Sequence, residues 1–248
     1  YQFVYQQPVW KAIIAVVVIL AVIMFTIVFV LILQDGERKI PVQYAKKVQG
    51  RKMVGGQTSH IPLKVNTAGV IPVIFASSLM SFPGVISSFF GVYPARAYFW
   101  PKVLKVMDQG SWLNINFKNF DFGDFKYSIG LLIYIGLIIF FAYFYTSITF
   151  NPIEIANNMK KQGGFIPGIR PGKPTTEHLS KVLNYIIFIG AMGLIVVSVI
   201  PMFFSGAFGA RVSFGGTSII IIVGVIIETI KQVESQMLVR DYKGFLND

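Results

Sequence analysis

The 22 residues from Ala12 to Leu33 read AIIAVVVILAVIMFTIVFVLIL, and Thr26 carries the only polar side chain among them. An α-helix rises about 1.5 Å per residue, so about 20 apolar residues cross the roughly 30 Å hydrocarbon core of a bilayer. This stretch therefore predicts a membrane-spanning helix. It is also too long for the apolar core of a signal peptide.

Outward from this stretch, four further segments are apolar enough to cross a membrane. No charged residue occurs between Lys64 and Arg96, for example. We predict these spans at about residues 67–90, 128–150, 182–203 and 217–238. The last one continues through Glu228, Lys231 and Glu234, whose i,i+3 spacing allows ion pairs. The sequence thus predicts an all-α, polytopic membrane helix bundle with five transmembrane helices.

The composition agrees with a membrane protein. Hydrophobic residues make up 54% of the 248 residues and charged residues 13%, which is about half the charged share of a soluble protein. A disordered chain, a coiled coil and a nucleic-acid-binding domain therefore fit poorly. The chain has no cysteine, which excludes disulfides and thiol catalysis.

The net charge of +11 is concentrated in the connections between the apolar segments. Residues 34–66 contain seven Lys and Arg, residues 151–181 five and residues 239–248 two, against seven on the opposite side. Because positively charged loops stay in the cytoplasm, we predict that both loops and the C-terminal tail are cytoplasmic and that residue 1 lies outside. The chain starts at Tyr1 without a signal peptide, so an outside start implies helices upstream.

The predicted second span contains features that an ordinary apolar helix lacks. Pro72 removes a backbone donor and should kink the helix in mid-span, and Ser77 and Ser78 add polar groups. Two interpretations stay open, a kinked helix of a bundle or a mobile helix that lines a polar path. Glu228 is the only good candidate for an ionisable side chain at membrane depth, and this scarcity argues against a secondary transporter.

The first basic loop, residues 34–66, is longer than a plain helix connection requires. Its alternating residues Ile40, Val42 and Tyr44 predict a short strand. A second strand around residues 59–65 would complete a β-hairpin. The loop is either held near anionic lipid by its charges or protrudes as a docking element.

The second basic loop, residues 151–181, begins with a short helix predicted over residues 153–161. It continues as GGFIPGIRPGKP at residues 163–174, where the density of glycine and proline predicts rigid turns. Arg170 at the exposed tip can make bidentate contacts with a carboxylate or a phosphate. We favour this docking role over a merely solvated arginine.

The sequence contains no catalytic constellation. It lacks the Walker, GxSxG, HExxH and CxxC motifs, and its two histidines, His60 and His178, lie on different loops. We therefore expect neither an enzyme nor a cofactor or metal site. Any energy source should come from a partner.

Together these loops and spans resemble the C-terminal half of the SecY family, the pore subunits of bacterial Sec protein-conducting channels. The resemblance rests on GERKIPVQYAKKVQGRKM (36–53), HIPLKVNTAGVIPVIFASSLMSFP (60–83), FNPIEIANNMKKQGGFIPGIRPGKPT (150–175) and FGGTSIIIIVGVIIETIKQVESQM (214–237). It implies that the five spans are helices six to ten of a ten-helix channel in the bacterial plasma membrane. Helices one to five would belong to the same or a split chain.

The resemblance also implies a passive channel that conducts unfolded polypeptide and opens sideways to lipid. Ile74 and Ile221 match residues of the pore ring, whose apolar side chains exclude ions by dewetting. Pro72, Ser77 and Ser78 lie on the segment that resembles the lateral-gate helix. A secondary transporter of small solutes and an intramembrane enzyme are the alternatives, and the midplane polar site or catalytic set that they need is missing from this half.

The two basic loops resemble the family's docking elements. Arg170 matches the arginine that engages the motor ATPase SecA. Contacts with SecA and the ribosome are implied for Arg38, Lys39, Lys46, Lys47, Arg51 and Lys52. The further implied partners are the N-terminal half, SecE, SecG, the signal peptide or precursor polypeptide and anionic lipid. Residues 91–125 diverge from the family pattern, and we assign them no function.

Overall fold

The computed structural model describes residues 9–44, 47–49, 52–54, 58–90, 100–108, 129–208 and 216–244. The chain forms two compact units. Unit 1 combines Tyr1–Ile32, Ala76–Ile135 and Ile195–Asp248, and unit 2 combines Leu33–Phe75 and Gly136–Leu194.

Seven helices account for most of the described residues. They are α1 (Val9–Asp35), α2 (Ile71–Phe89), α3 (Trp100–Met107), α4 (Ile129–Thr149), α5 (Pro152–Lys161), α6 (Lys173–Phe208) and α7 (Gly216–Gly244). The short helix predicted at the start of the second basic loop is α5.

Within the described part of the chain, three helical stretches are long and apolar enough to cross a membrane. These are Ile71–Phe89, Ile129–Lys161 and Lys173–Ile200. A shorter apolar helical stretch covers Leu20–Asp35. The prediction of a mainly helical chain with membrane-crossing helices is thereby confirmed, whereas the number of five spans stays a prediction.

The all-α prediction is wrong in one respect, because a small sheet is present. Its strands are β1 (Glu37–Tyr44), β4 (Thr58–Lys64) and β5 (Gly164–Phe165), in the order β4-β1-β5, and β2 (Lys47–Gln49) pairs with β3 (Lys52–Val54) in a separate hairpin. β1 and β4 pair antiparallel from Glu37↔Lys64 to Gln43↔Thr58, which confirms the hairpin predicted in the first basic loop. The sheet forms because Ile40 and Val42 alternate with polar or exposed residues and bury one face.

The core of unit 2 lies between the sheet and two helices. Nine buried residues pack together there: Ile40, Val42, Leu63, Ala156, Met159, Ile166, Leu179, Val182 and Ile186. A second cluster joins Ala142 of α4 to Leu183, Ile187 and Ala191 of α6. The sheet and the first half of α6 are therefore fixed to each other by apolar packing, whose strength grows with buried area.

The prediction of a kink at Pro72 is wrong. α2 begins only at Ile71, after turns at residues 65–70 that include Gly69 at φ +62°. Pro72 is thus the second residue of the helix, where a backbone N–H would have no intrahelical partner in any case. The proline inside α2 is Pro83, which is the position at which a donor is missing from the helix ladder.

Other segments of unit 2 pack closely against two glycines of α6. A Cβ atom at Gly190 would lie 2.3 Å from the carbonyl oxygen of Val65, and one at Gly193 would lie 2.4 Å from Cδ1 of Leu33. Val65 in turn donates its N–H to the carbonyl of Gly36 at 2.8 Å. The backbone just before α2 is therefore seated directly on α6.

Unit 1 has polar contacts of its own. Tyr134 of α4, 1% exposed, is hydrogen-bonded to Ser198 of α6. Trp100 Nε1 of α3 donates to Oγ of the buried Ser87 at 2.6 Å, so the short helix α3 is tied to the end of α2. The buried side chains of Tyr134, Ser198 and Ser87 are thus paired, as buried polar groups usually are.

Candidate functional site

The two basic loops meet in one structure within unit 2. We call β1, β4, β5, α5 and residues 166–172 the loop platform. β5 of the second loop pairs with the end of β1 through Gln43↔Phe165 and Tyr44↔Gly164. The two loops therefore form one structural unit, because backbone hydrogen bonds and a shared core join them.

Residues at both ends of helix α5 stabilise it. The Asn151 side chain accepts hydrogen bonds from the N–H groups of Ile153 (3.1 Å) and Glu154 (3.4 Å), and Pro152 occupies the first helical position. These are the preferred residues for a helix N-terminus. Glu154 in the first turn and Lys160 in the last turn both complement the helix dipole.

A tight approach connects α5 to the sheet. A Cβ atom at Gly164 would lie 3.0 Å from both Cγ of Met159 and Cε1 of Tyr44, and 3.3 Å from the Met159 carbonyl oxygen. Gly163, just before it, has φ +74°, a backbone conformation that glycine adopts without a steric penalty. The glycine pair therefore favours a direct turn from α5 into β5.

The chain then forms the rigid turns predicted around Arg170. Ile169 donates its N–H to the carbonyl of Ile166 at 3.0 Å, with Pro167 and Gly168 between them and Gly168 at φ +82°. Proline followed by a glycine of positive φ is the signature of a type II turn. Ile169 packs against the core of unit 2, whereas Arg170 is exposed.

The far side of Arg170 is fixed by the start of α6. The hydroxyl of Thr175 donates to the carbonyl of Arg170 at 2.9 Å, and Thr175 is only 1% exposed. Gly172 has φ +108°. Arg170 and Lys173 are each followed by proline, Pro171 and Pro174. No local motif marks Thr175, because its contact with Arg170 depends on where α6 begins.

Among the residues of unit 2 whose side chains the structure describes, exposed Lys and Arg outnumber exposed Asp and Glu. The exposed cationic residues include Arg38, Lys39, Lys64, Lys160, Lys161, Arg170 and Lys173. Lys39 Nζ lies 3.1 Å from Oε1 of Glu37, an exposed pair of the kind that contributes little to stability. Among the residues that the structure describes, no carboxylate forms an ion pair with Arg170.

Two of the remaining predicted docking residues lie on the β2–β3 hairpin. Lys47 pairs with Val54 and Lys52 with Gln49 in its register. Lys46 and Arg51 lie outside the described residues. The structure therefore places Arg38, Lys39 and Arg170 on the loop platform and Lys47 and Lys52 on a hairpin in the same loop.

The predicted pore and gate residues lie on two helices. Ile74 of α2 is 41% exposed and Ile221 of α7 is 40% exposed. Ser78 is exposed and Ser77 half-buried, and the Ser77 carbonyl accepts the hydroxyl of Ser81 at 2.9 Å. Ile74 belongs to unit 2 and Ile221 to unit 1, so each is described on its own helix.

The described residues contain no group of three or more His, Cys, Asp or Glu side chains that could hold a metal ion. The polar features of unit 2 are instead a basic surface and one turn that presents an arginine. Such an arrangement is suited to recognising carboxylates or phosphates of a large partner.

The chain is similar in sequence to proteins of a single family. The family model of SecY matches residues 1–230. The protein translocase subunit SecY of Streptomyces galbus is 46% identical over 230 residues, which cover 92% of this chain and 48% of that relative. The protein of the same name from Halalkalibacterium halodurans is 45% identical over 237 residues, covering 94% and 50%. The chain spans about half the length of these curated relatives.

Two solved structures share the fold over 88% of this chain and 49% of their own. One is described as the structure of a protein conducting channel and gives a TM-score of 0.56 at 18% identity. The other concerns the plug domain of SecY and the closed state of the translocation channel, with a TM-score of 0.54 at 20% identity.

Apolar membrane-crossing helices joined by a basic, sheet-containing loop platform define a polytopic membrane protein. The matches over 230 residues at about 45% identity then identify its family. The chain belongs to the SecY family.

Proposed function

We propose that the chain forms the C-terminal half of a SecY-type channel in the bacterial plasma membrane. The channel passes unfolded secretory polypeptides across the membrane and releases membrane proteins sideways into lipid. The observation that carries the proposal is the SecY match over residues 1–230. Because the chain spans about half the length of its relatives, helices one to five come from the same or a split chain.

In this channel α1, α2, α4, α6 and α7 are helices six to ten. α1 and α7 have 27 and 29 residues, or about 40 Å of helix each, which is more than the hydrocarbon core needs. Glu228, Lys231 and Glu234 of α7 are exposed and belong at or beyond the interface. The charge distribution supports cytoplasmic loops and C-terminus and an outer residue 1.

The place of Ile74 and Ile221 in the pore ring rests on the family resemblance. Their exposure of 41% and 40% agrees with it, because side chains at a constriction face an opening rather than another helix. Ser77 and Ser78, on the same helix as Ile74, belong to the lateral gate. Pro72 lies in the first turn of that helix, and its part in the gate is to start the helix rather than to kink it.

Disulfide cross-linking tests the polypeptide path directly, since the chain has no cysteine. Single cysteines are placed at Ile74 and Ile221 in the complete channel, and a stalled secretory precursor carries the second cysteine. We expect cross-links at both positions and none at Val17, which is 60% exposed on α1 and should face lipid. Absence of cross-links at both positions with an engaged precursor would refute the pore assignment.

We propose that the loop platform is the docking surface for the motor ATPase SecA and for the ribosome. Its exposed cations, together with Lys46, Lys47, Arg51 and Lys52 of the first loop, suit the carboxylates of a protein and the phosphates of RNA. Arg170 on its turn carries the SecA contact. The family's other partners, SecE, SecG, the precursor and anionic lipid, belong to the same proposal.

Charge reversal at Arg170 tests the docking role. Arg170→Glu should abolish SecA-driven translocation while leaving assembly into the membrane intact, and Arg170→Lys should weaken it because the bidentate fork is lost. Lys181→Glu is the matched control, since Lys181 is exposed on α6 outside the loop platform. Normal translocation by Arg170→Glu would remove the assignment.

A further inference from the structure

The backbone of Arg170 is held more firmly than an exposed turn requires. On its N-terminal side, Ile169 packs against the core and closes the type II turn with Ile166. On its C-terminal side, Pro171 restricts φ to a narrow range, and Thr175 of α6 donates its hydroxyl to the Arg170 carbonyl at 2.9 Å. The side chain of Arg170 nevertheless remains exposed.

The hydrogen bond from Thr175 links the turn to a buried residue of α6. Thr175 is 1% exposed, so its hydroxyl is desolvated and has to be satisfied within the protein. The Arg170 carbonyl lies five residues before it, outside the helix that begins at Lys173. The hydroxyl therefore ties the turn to the rigid first turn of α6.

We infer that Thr175 is a positioning residue for docking, which pre-organises the backbone of Arg170 so that its side chain projects towards the partner from one fixed position. The inference rests on the proposed docking role of Arg170. A turn that is ordered before the encounter loses less conformational freedom on binding, and binding is correspondingly tighter. Loss of the hydroxyl should weaken docking without touching the contact itself.

Thr175→Val and Thr175→Ser test this in the complete channel. Valine keeps the shape and removes the donor, whereas serine keeps the donor. Thr175→Val should raise the SecA concentration for half-maximal translocation about fivefold, a factor expected for one hydrogen bond, and leave the maximal rate unchanged. Thr175→Ser should stay close to the parent channel. Unchanged half-maximal concentration with Thr175→Val, or failure of serine to restore it, would overturn the inference.

A double-mutant cycle separates positioning from general stability. In an Arg170→Ala background Thr175→Val should add no further loss, because it acts only through Arg170. An equal loss in both backgrounds would overturn the positioning role. If Arg170→Ala itself has no effect, the proposed docking function falls and the inference falls with it. If Arg170→Ala weakens docking and Thr175→Val does not, the inference alone is refuted.

A second variant covers the case in which valine impairs folding. Gly172 has φ +108°, and no neighbouring atom lies within 4 Å of a Cβ added there. Gly172→Ala therefore strains the same turn without crowding the core. It should reproduce the raised half-maximal concentration and be silent in the Arg170→Ala background. A parent-like half-maximal concentration for Gly172→Ala would contradict the inference.

Discussion

Gly190 and Gly193 lie one turn apart on α6, and a different kind of group packs against each of them. At Gly190 the neighbour is the backbone carbonyl of Val65, whereas at Gly193 it is the tip of the Leu33 side chain. A backbone group cannot move without shifting its whole segment, but a leucine tip can change rotamer. The same added methyl group therefore has different costs at the two positions.

We expect Gly190→Ala to destabilise the complete channel by about 2 kcal/mol, within the range known for overpacked cores, and Gly193→Ala by clearly less. Thermal unfolding of the purified channel measures both. Gly136→Ala is the control, because nothing lies within 4 Å of a Cβ atom there. Equal stability of the Gly190 and Gly193 variants would contradict the seating of Val65 on α6.

Residue-level prediction from sequence succeeded where local chemistry was sufficient. The rigid exposed turn around Arg170 followed from the spacing of proline and glycine alone. The predicted kink at Pro72 is wrong, because the sequence does not reveal that residues 65–70 form turns before the helix starts. Thr175 was missed, because its contact depends on where α6 begins rather than on any motif.

At the scale of elements, β5 is the smallest strand and the one that unites the two basic loops. It has two residues, Gly164 and Phe165, too few for any alternation of polar and apolar side chains. Its partner strand lies more than 100 residues earlier in the chain. Long apolar helices and the alternating β1 could be predicted from sequence, whereas this pairing could not.

Gly164→Val should displace β5 from β1, because its Cβ would already lie 3.0 Å from Tyr44 and Met159 and valine adds two methyl groups beyond it. Hydrogen exchange of the complete channel measures the effect. We expect faster exchange at Gln43, Tyr44 and Phe165. The amides of the β1–β4 pairing away from β5, from Glu37↔Lys64 to Ile40↔Ile61, provide the internal control and should stay protected. Unchanged exchange around β5 would refute the tight approach.

At the scale of the whole molecule, the chain spans about half the length of its curated SecY relatives. Hydrophobic runs of about 20 residues predicted a mainly helical chain with membrane-crossing helices, whereas the number of five spans stays a prediction. The gate and the pore ring could be assigned only through the family resemblance. No spacing within a single helix indicates which of its apolar residues faces an opening.

Polar replacement at the proposed pore-ring residues should make the resting channel leak ions. Ile74→Ser and Ile221→Ser introduce a hydroxyl where dewetting of apolar side chains would otherwise block ion flow, and we expect conductance to rise about tenfold. Planar-bilayer recording of the complete channel measures this. Ile222→Ser is the matched control, since Ile222 is 58% exposed but points about 100° away on the same helix. Parent-like conductance in both pore variants would exclude these side chains from the constriction.

The prolines after Arg170 and Lys173 have a consequence for the lifetime of the protein. Exposed loop tips are the usual places where proteases nick a folded chain, and trypsin-like enzymes select arginine and lysine. These enzymes cleave poorly when proline follows, and both basic residues at this tip are followed by proline. The tip can therefore display its arginine at the surface while the adjoining peptide bonds resist the proteases that recognise this residue.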